Sequence, residues 1–123
     1  MIAQQEAVEC GAASLAMVLA WHGRWITLEQ LREQCGITRD GTKATNILKA
    51  ARLHNLVAKG LQKDTAALAR LPLPLIVFWR FNHFIVVESI GDETVRVLDP
   101  AVGPLAMPRA EFDKGYTGVA LAF

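Results

Sequence analysis

The sequence predicts an α+β domain in which N-terminal helices pack on a C-terminal antiparallel sheet. The main observation is the order of the patterns along the chain. Helical patterns with capping residues occur before residue 57, whereas runs of strand formers separated by turn signals follow it. The composition agrees, because 123 residues with 52% hydrophobic and 20% charged residues are typical of one well-cored domain, predicted to span residues 1–123.

The first helix is predicted from Cys10 to Trp21, a stretch without a charged residue. Its Ala, Leu, Met and Val residues form helices readily and leave no polar face, so the helix should be buried on all sides. Cys10 would then lie in the first turn, where unpaired N–H groups and the helix dipole favour a thiolate. Gly11 leaves little bulk beside the sulfur, as a nucleophile requires. The commoner explanation of such a cysteine is a buried structural thiol.

A second helix is predicted to begin after Thr27, which forms a capping box with Gln30, and to end at Gly36. Cys35 falls on its apolar face and is predicted to be a small core residue.

The loop Gly36–Lys43 is a near miss to a phosphate loop, but it follows a helix where that motif requires a strand, so we reject it as a nucleotide site. Either Thr42 or Thr45 is predicted to cap a third helix that runs through Leu53.

From residue 57 onward the sequence favours strands. A continuous apolar run predicts a buried strand, and Gly91-Asp92 predicts the turn of a hairpin. Pro100, Gly103, Pro104 and Pro108 mark loop and edge positions. The predicted elements are strand Val57–Leu61, helix Thr65–Leu71 capped by Asp64, strands Leu75–Trp79, His83–Ile90 and Thr94–Leu98, a helical turn at Ala110–Lys114, and strand Gly118–Phe123.

The hairpin brings two chemically active residues together. His83 begins its first arm and Asp99 ends its second, and they are symmetric about Gly91, so we expect them to be cross-strand neighbours on one face. A carboxylate beside an imidazole fixes its tautomer and stabilises the imidazolium. Together with Cys10 they form a candidate set of nucleophile, base and orienting residue.

Acyl transfer also needs hydrogen-bond donors for the oxyanion. The backbone N–H of Cys10 is one candidate. A side-chain amide in the preceding segment is another, and the residues by themselves leave Gln4 and Gln5 as competing choices.

Four short blocks span the chain, namely Gln4 with Cys10–Met17, Asn82–Val87, Leu98–Pro100 and Thr117–Ala120. In order and spacing they resemble the motifs of the bacteriocin-processing, double-glycine leader peptidases. These are papain-like cysteine proteases, usually fused to the N-terminus of a peptide-exporting ATP-binding cassette transporter. The segment from Arg39 to Ala51 is similar to the subgroup associated with nitrile-hydratase-type leader peptides.

The resemblance implies Cys10 as the nucleophile and His83 as the base. It implies Asp99 as the orienting residue and favours Gln4 over Gln5 for the oxyanion hole. The implied fold is that of papain-like cysteine proteases. The implied activity is a cysteine endopeptidase that removes the leader from ribosomally made, bacteriocin-type precursors after a Gly-Gly, Gly-Ala or Gly-Ser pair, with no cofactor.

The implied partners are a precursor peptide with an amphipathic helical leader and the transmembrane and ATP-binding domains of the same transporter. The expected location is the cytoplasmic face of the bacterial inner membrane, or the cytoplasm for an isolated domain. The sequence shows no phosphate loop and no apolar run near the roughly 20 residues that span a bilayer, so we expect an excised domain or a stand-alone homologue. Two cysteines make no disulfide framework and favour a reducing compartment.

The sequence also allows other interpretations. A non-catalytic leader-binding module would resemble this chain but lack the nucleophile, whereas a Cys-His-Asp acyltransferase or amidase would share the whole triad. A zinc site is disfavoured because the cysteines and histidines show no paired ligand spacing. The formal net charge of +1 without a basic cluster argues against nucleic acid as a partner.

Overall fold

A computed structural model of the chain describes residues 2–35, 44–80 and 83–123, with side chains from Gly11 onward. The helices are α1 (Ile2–Trp21), α2 (Leu28–Cys35), α3 (Ala44–Leu53), α4 (Thr65–Leu68) and α5 (Arg109–Gly115). The strands are β1 (Lys59–Gln62), β2 (Leu75–Trp79), β3 (His83–Ile90), β4 (Thr94–Asp99), β5 (Gly103–Pro108) and β6 (Tyr116–Ala122).

The first helix begins earlier than predicted. It starts at Ile2, so Cys10 lies within the helix, and the prediction that Cys10 occupies the first turn is wrong. The physical reason is that Ile2–Val8 contains alanine, glutamine and glutamate, which are helix formers, and contains no proline or glycine to stop the helix. The dipole and the unpaired N–H groups of the first turn therefore do not act directly at Cys10.

The predicted caps of two later helices are confirmed. The Gln30 backbone N–H donates to Thr27 Oγ1 at 3.2 Å before α2, and the Ala67 backbone N–H donates to Asp64 Oδ1 at 2.9 Å before α4. Thr45 lies inside α3 and does not cap it. The predicted helix end at Gly36, the loop Gly36–Lys43 and the cap at Thr42 lie outside the described residues.

The six strands described form one antiparallel sheet in the order β1-β6-β2-β3-β4-β5. The predicted strand Leu75–Trp79 is confirmed residue for residue as β2. β1 begins two residues after the predicted Val57, which is exposed. β5 was predicted only as loop and edge positions, and it is an edge strand that pairs with β4 alone.

Each face of the sheet carries an apolar cluster. On one face α1 packs against the sheet, and Phe84 and Val86 of β3 lie in the cluster that also holds Leu15 and Leu19. On the other face Ile85 belongs to a second cluster, which includes Val87, Val97 and Phe112 of α5. The alternation along β3 is the two-residue period of a strand buried on both faces. The predicted α+β class, with N-terminal helices on an antiparallel sheet, is confirmed.

Gly115 lies against the side chain of Trp79, a residue of the strand β2 that pairs with the strand of His83. A Cβ added there would lie 2.5 Å from Cζ2 of Trp79, and Trp79 is the cross-strand partner of His83. We expect Gly115→Ala to lower the free energy of unfolding by about 1–3 kcal/mol, because overpacking forces the indole or the backbone to move.

The measurement is urea denaturation of Gly115→Ala beside a matched Gly60→Ala variant. A Cβ at Gly60 would meet its nearest neighbour, Leu48 Cδ1, at 3.4 Å, which is ordinary contact. Equal denaturation midpoints for the two variants would contradict the predicted clash.

Candidate active site

The centre of the candidate site is the contact between His83 and Asp99. His83 Nε2 lies 2.8 Å from Asp99 Oδ1, and the two side chains are only 16% and 13% exposed. An ionised carboxylate only accepts hydrogen bonds, so Nε2 carries the proton and donates it. In the neutral imidazole the lone pair is then on Nδ1, which is the nitrogen that could accept a proton from a nucleophile.

Asp99 is itself held by the turn that follows β4. The Ala101 backbone N–H donates to Asp99 Oδ1 at 2.9 Å, and the Val102 backbone N–H donates to the Asp99 carbonyl at 3.1 Å. One carboxylate oxygen therefore accepts from both the imidazole and the main chain. The Asp99 side chain thus both stabilises the turn that it begins and contacts His83.

The predicted register of the hairpin is wrong by two residues. Val86 pairs with Leu98. If this register is continued by one residue, the partner of Asp99 is Ile85, whereas the predicted partner was His83. The causes are a longer turn, in which Ile90 pairs with Val95, and an irregularity between Val87 and Ser89. His83 and Asp99 are thus diagonal neighbours, a separation that side chains of their length can bridge.

Cys10 lies on α1, which packs against the strand that begins at His83. The side-chain hydroxyl of Ser14, one helical turn after Cys10, lies 3.3 Å from the carbonyl oxygen of Phe84, the residue after His83. This bond brings the backbone near Cys10 to the start of β3. The side chain of Cys10 lies outside the described part, so its role as nucleophile stays a prediction.

Gln4 is also part of α1, six residues before Cys10. That separation corresponds to about 9 Å of helical rise, and it is not the spacing of three or four residues that brings two positions onto one face. Its side chain, like that of Gln5, lies outside the described part. The assignment of Gln4 to the oxyanion hole therefore stays a prediction.

Cys35 has the environment of a structural thiol. Its side chain is buried at the end of α2, and burial raises the pKa of the thiol to about 11. The thiolate is the reactive form of cysteine, so this thiol is inert at neutral pH. The prediction that Cys35 is a core residue is confirmed.

Within residues 2–35, 44–80 and 83–123, no group of three or more His, Cys, Asp or Glu side chains is placed to hold a metal ion. None of the helices in the same ranges has the length and apolar character of a membrane span.

The family model of the Peptidase C39 family matches residues 1–123. The chain belongs to the Peptidase C39 family. The predicted family and the predicted cysteine peptidase activity are confirmed, whereas the nitrile-hydratase-type subgroup stays a prediction.

Two solved structures are similar to this C39 peptidase over almost its whole length. A double glycine motif protease from an AMS/PCAT transporter, solved in complex with the leader peptide, superimposes with a TM-score of 0.92 and is 46% identical, over 94% of this chain and 84% of that one. The peptidase domain of Streptococcus ComA, a bifunctional ABC transporter, superimposes with a TM-score of 0.86 at 28% identity, over 93% and 89% of the two chains. The predicted papain-like fold is thereby confirmed.

Two curated relatives of this C39 peptidase are much longer proteins. The lactococcin-G-processing and transport ATP-binding protein LagD of Lactococcus lactis subsp. lactis is 34% identical over 98% of this chain and 18% of its own length. The colicin V secretion/processing ATP-binding protein CvaB of Escherichia coli is 33% identical over 98% of this chain and 17% of its own length. The chain thus spans less than a fifth of these relatives.

Proposed function

We propose that residues 1–123 form a leader peptidase domain that cuts ribosomally made, bacteriocin-type precursor peptides after a Gly-Gly, Gly-Ala or Gly-Ser pair. The observation that carries the proposal is the 2.8 Å contact between His83 and Asp99. His83 begins β3, and β3 packs against α1, the helix that contains Cys10. The similarity to a double glycine motif protease solved with its leader peptide supports the choice of substrate.

The proposed reaction has two steps. His83 Nδ1 takes the thiol proton of Cys10, and the thiolate attacks the carbonyl carbon of the second small residue of the pair. The tetrahedral intermediate collapses to a thioester as the imidazolium returns the proton to the leaving amine. Water, deprotonated by His83, then attacks the thioester and releases the leader as a carboxylic acid with regeneration of the thiol. Asp99 stabilises the imidazolium in both steps.

The experiment is a cleavage assay with a synthetic peptide that carries an amphipathic leader and ends it in Gly-Gly, followed by mass spectrometry of the products. Matched peptides replace the pair by Gly-Ala, Gly-Ser or Val-Val. We expect the first three to be cut after the pair and the fourth to stay intact, because residues without bulky side chains fit beside the sulfur. Equal cleavage of the Val-Val peptide would overturn the proposed specificity.

The proposed partners follow from the relatives, whose names describe transport and processing ATP-binding proteins. We propose that the domain works beside the transmembrane and ATP-binding domains of such a transporter, at the cytoplasmic face of the bacterial inner membrane. In that setting leader removal would be coupled to export of the remaining peptide.

Gln4 has a distinct kinetic prediction. A side-chain N–H that meets the oxyanion only as charge develops stabilises the transition state and not the bound substrate. We therefore expect Gln4→Ala to lower kcat about 100-fold with little change in KM. Steady-state kinetics beside Gln5→Ala checks this, and equal small effects of the two variants would remove Gln4 from the site.

A further inference from the structure

The hydroxyl of Ser14 has an unusual environment for a polar group. Among the residues whose side chains are described, Ser14 and Thr65 are the polar ones that are buried, at 0% and 8% exposure. Ser14 is also the one residue between Cys10 and Trp21 whose side chain carries a hydroxyl, amide or charge. A buried hydroxyl is retained at little cost only where it finds a partner.

The partner of Ser14 is far away in the sequence and close to the candidate site. Its Oγ donates to the carbonyl oxygen of Phe84 at 3.3 Å, across a separation of 70 residues. Cys10 lies one helical turn before the donor, and His83 directly precedes the acceptor. The bond therefore joins α1 to β3 one helical turn from the proposed nucleophile and one residue from the proposed base.

Apolar side chains of α1 and β3 pack beside this bond. Ala12, Leu15 and Leu19 of α1 share one cluster with Phe84 and Val86 of β3. Apolar burial is strong but non-directional, so it holds the helix against the sheet without fixing its position along the strand. A hydrogen bond is directional and does fix that position.

We propose that Ser14 is a positioning residue that sets the placement of Cys10 relative to His83. The proposal rests on the proposed function, because it assumes that Cys10 and His83 react together. A misplacement of about 1 Å in an active site can cost about 100-fold in rate. Ser14→Ala should therefore slow the chemical step even though Ser14 does not touch the substrate.

The test compares Ser14→Ala with Thr65→Val. Thr65 is the matched control because its buried hydroxyl donates to Asp113, on the α5 side of the sheet. Three quantities are measured for each variant: kcat and KM on the Gly-Gly peptide, the melting temperature, and the pH profile of iodoacetamide alkylation at Cys10.

We expect Ser14→Ala to lower kcat at least about tenfold with KM unchanged. We also expect its alkylation profile to move to higher pH, because a thiolate held less well by the imidazolium forms less readily. Thr65→Val should lower the melting temperature but leave kcat and the alkylation profile as in the wild type.

The positioning role is overturned if Ser14→Ala keeps the wild-type kcat and alkylation profile. It is equally overturned if both variants lose kcat in proportion to their loss of melting temperature. Cys10→Ala, assayed in parallel, separates this from the proposed function: cleavage by that variant refutes the function itself, whereas an inactive Cys10→Ala beside a fully active Ser14→Ala refutes only the positioning role.

Discussion

Cys10→Ala is expected to abolish cleavage of the Gly-Gly peptide, with a fall in rate of at least about 10⁴-fold, because no other group in the proposed site can form the thioester. Only a small side chain is removed, so the melting temperature and peptide binding should stay close to the wild type. The measurement is product formation by mass spectrometry together with circular dichroism. Residual proteolysis by the purified variant would rule out Cys10 as the nucleophile.

The second cysteine supplies a control inside the same chain. The pKa of Cys35 is raised to about 11 by burial, so this thiol stays protonated at about pH 7.5. Iodoacetamide should then label Cys10 well before Cys35, and Cys35→Ala should cleave at the wild-type rate. Preferential labelling of Cys35 would contradict the assignment of the reactive thiol.

Replacement of Asp99 is expected to have the next largest effect, and the size should depend on the new side chain. Asp99→Ala removes the oxygen that accepts from both His83 and Ala101, so the rate should fall about 10³-fold or more. Asp99→Asn offers an oxygen in the same position but loses the charge that stabilises the imidazolium. We expect it to retain more activity, about 100-fold below the wild type.

The control for these two variants is Asp113→Asn. Asp113 also accepts a hydrogen bond from a side chain, that of Thr65, but it lies on α5 and away from His83. The variant Asp113→Asn should leave kcat unchanged, whereas Asp99→Ala and Asp99→Asn should lower kcat by different factors. Wild-type cleavage by Asp99→Ala would mean that the third member of the triad is misassigned.

The sequence predicted best where one strong local signal fixed the answer. β2 was predicted without error because Leu75–Trp79 is an apolar run of strand formers, buried against helices on both faces. The partnership of His83 and Asp99 was predicted from their symmetry about a glycine turn. This contact forms although the predicted register was wrong by two residues, because diagonal neighbours in a sheet remain within reach of each other's side chains.

The sequence failed where the outcome depended on partners that a local pattern does not show. The residues of β5 include two prolines, a pattern that predicts a loop. They form a strand because β5 pairs with β4 at the edge of the sheet, where the prolines need not donate a backbone hydrogen bond. Helix α1 was predicted to begin at the motif of Cys10, although nothing in the preceding residues stops a helix.

Two groups at the site were not predicted to be there. The backbone N–H of Ala101 holds Asp99, and it carries no sequence signature beyond the Asp-Pro turn itself. Ser14 could have been singled out as the one polar side chain in an otherwise apolar helix, but its partner 70 residues away is visible only in the fold.

The most direct test of the account is to run the cleavage of the Gly-Gly peptide in water enriched in oxygen-18 and to weigh the leader fragment. Hydrolysis of a Cys10 thioester places one oxygen from water in the new carboxylate, so the fragment should end in the second glycine and carry one heavy oxygen. The same reaction with Cys10→Ala should give no fragment. A leader fragment that carries an amine in place of the heavy oxygen, or one that Cys10→Ala also produces, would contradict a cysteine peptidase mechanism.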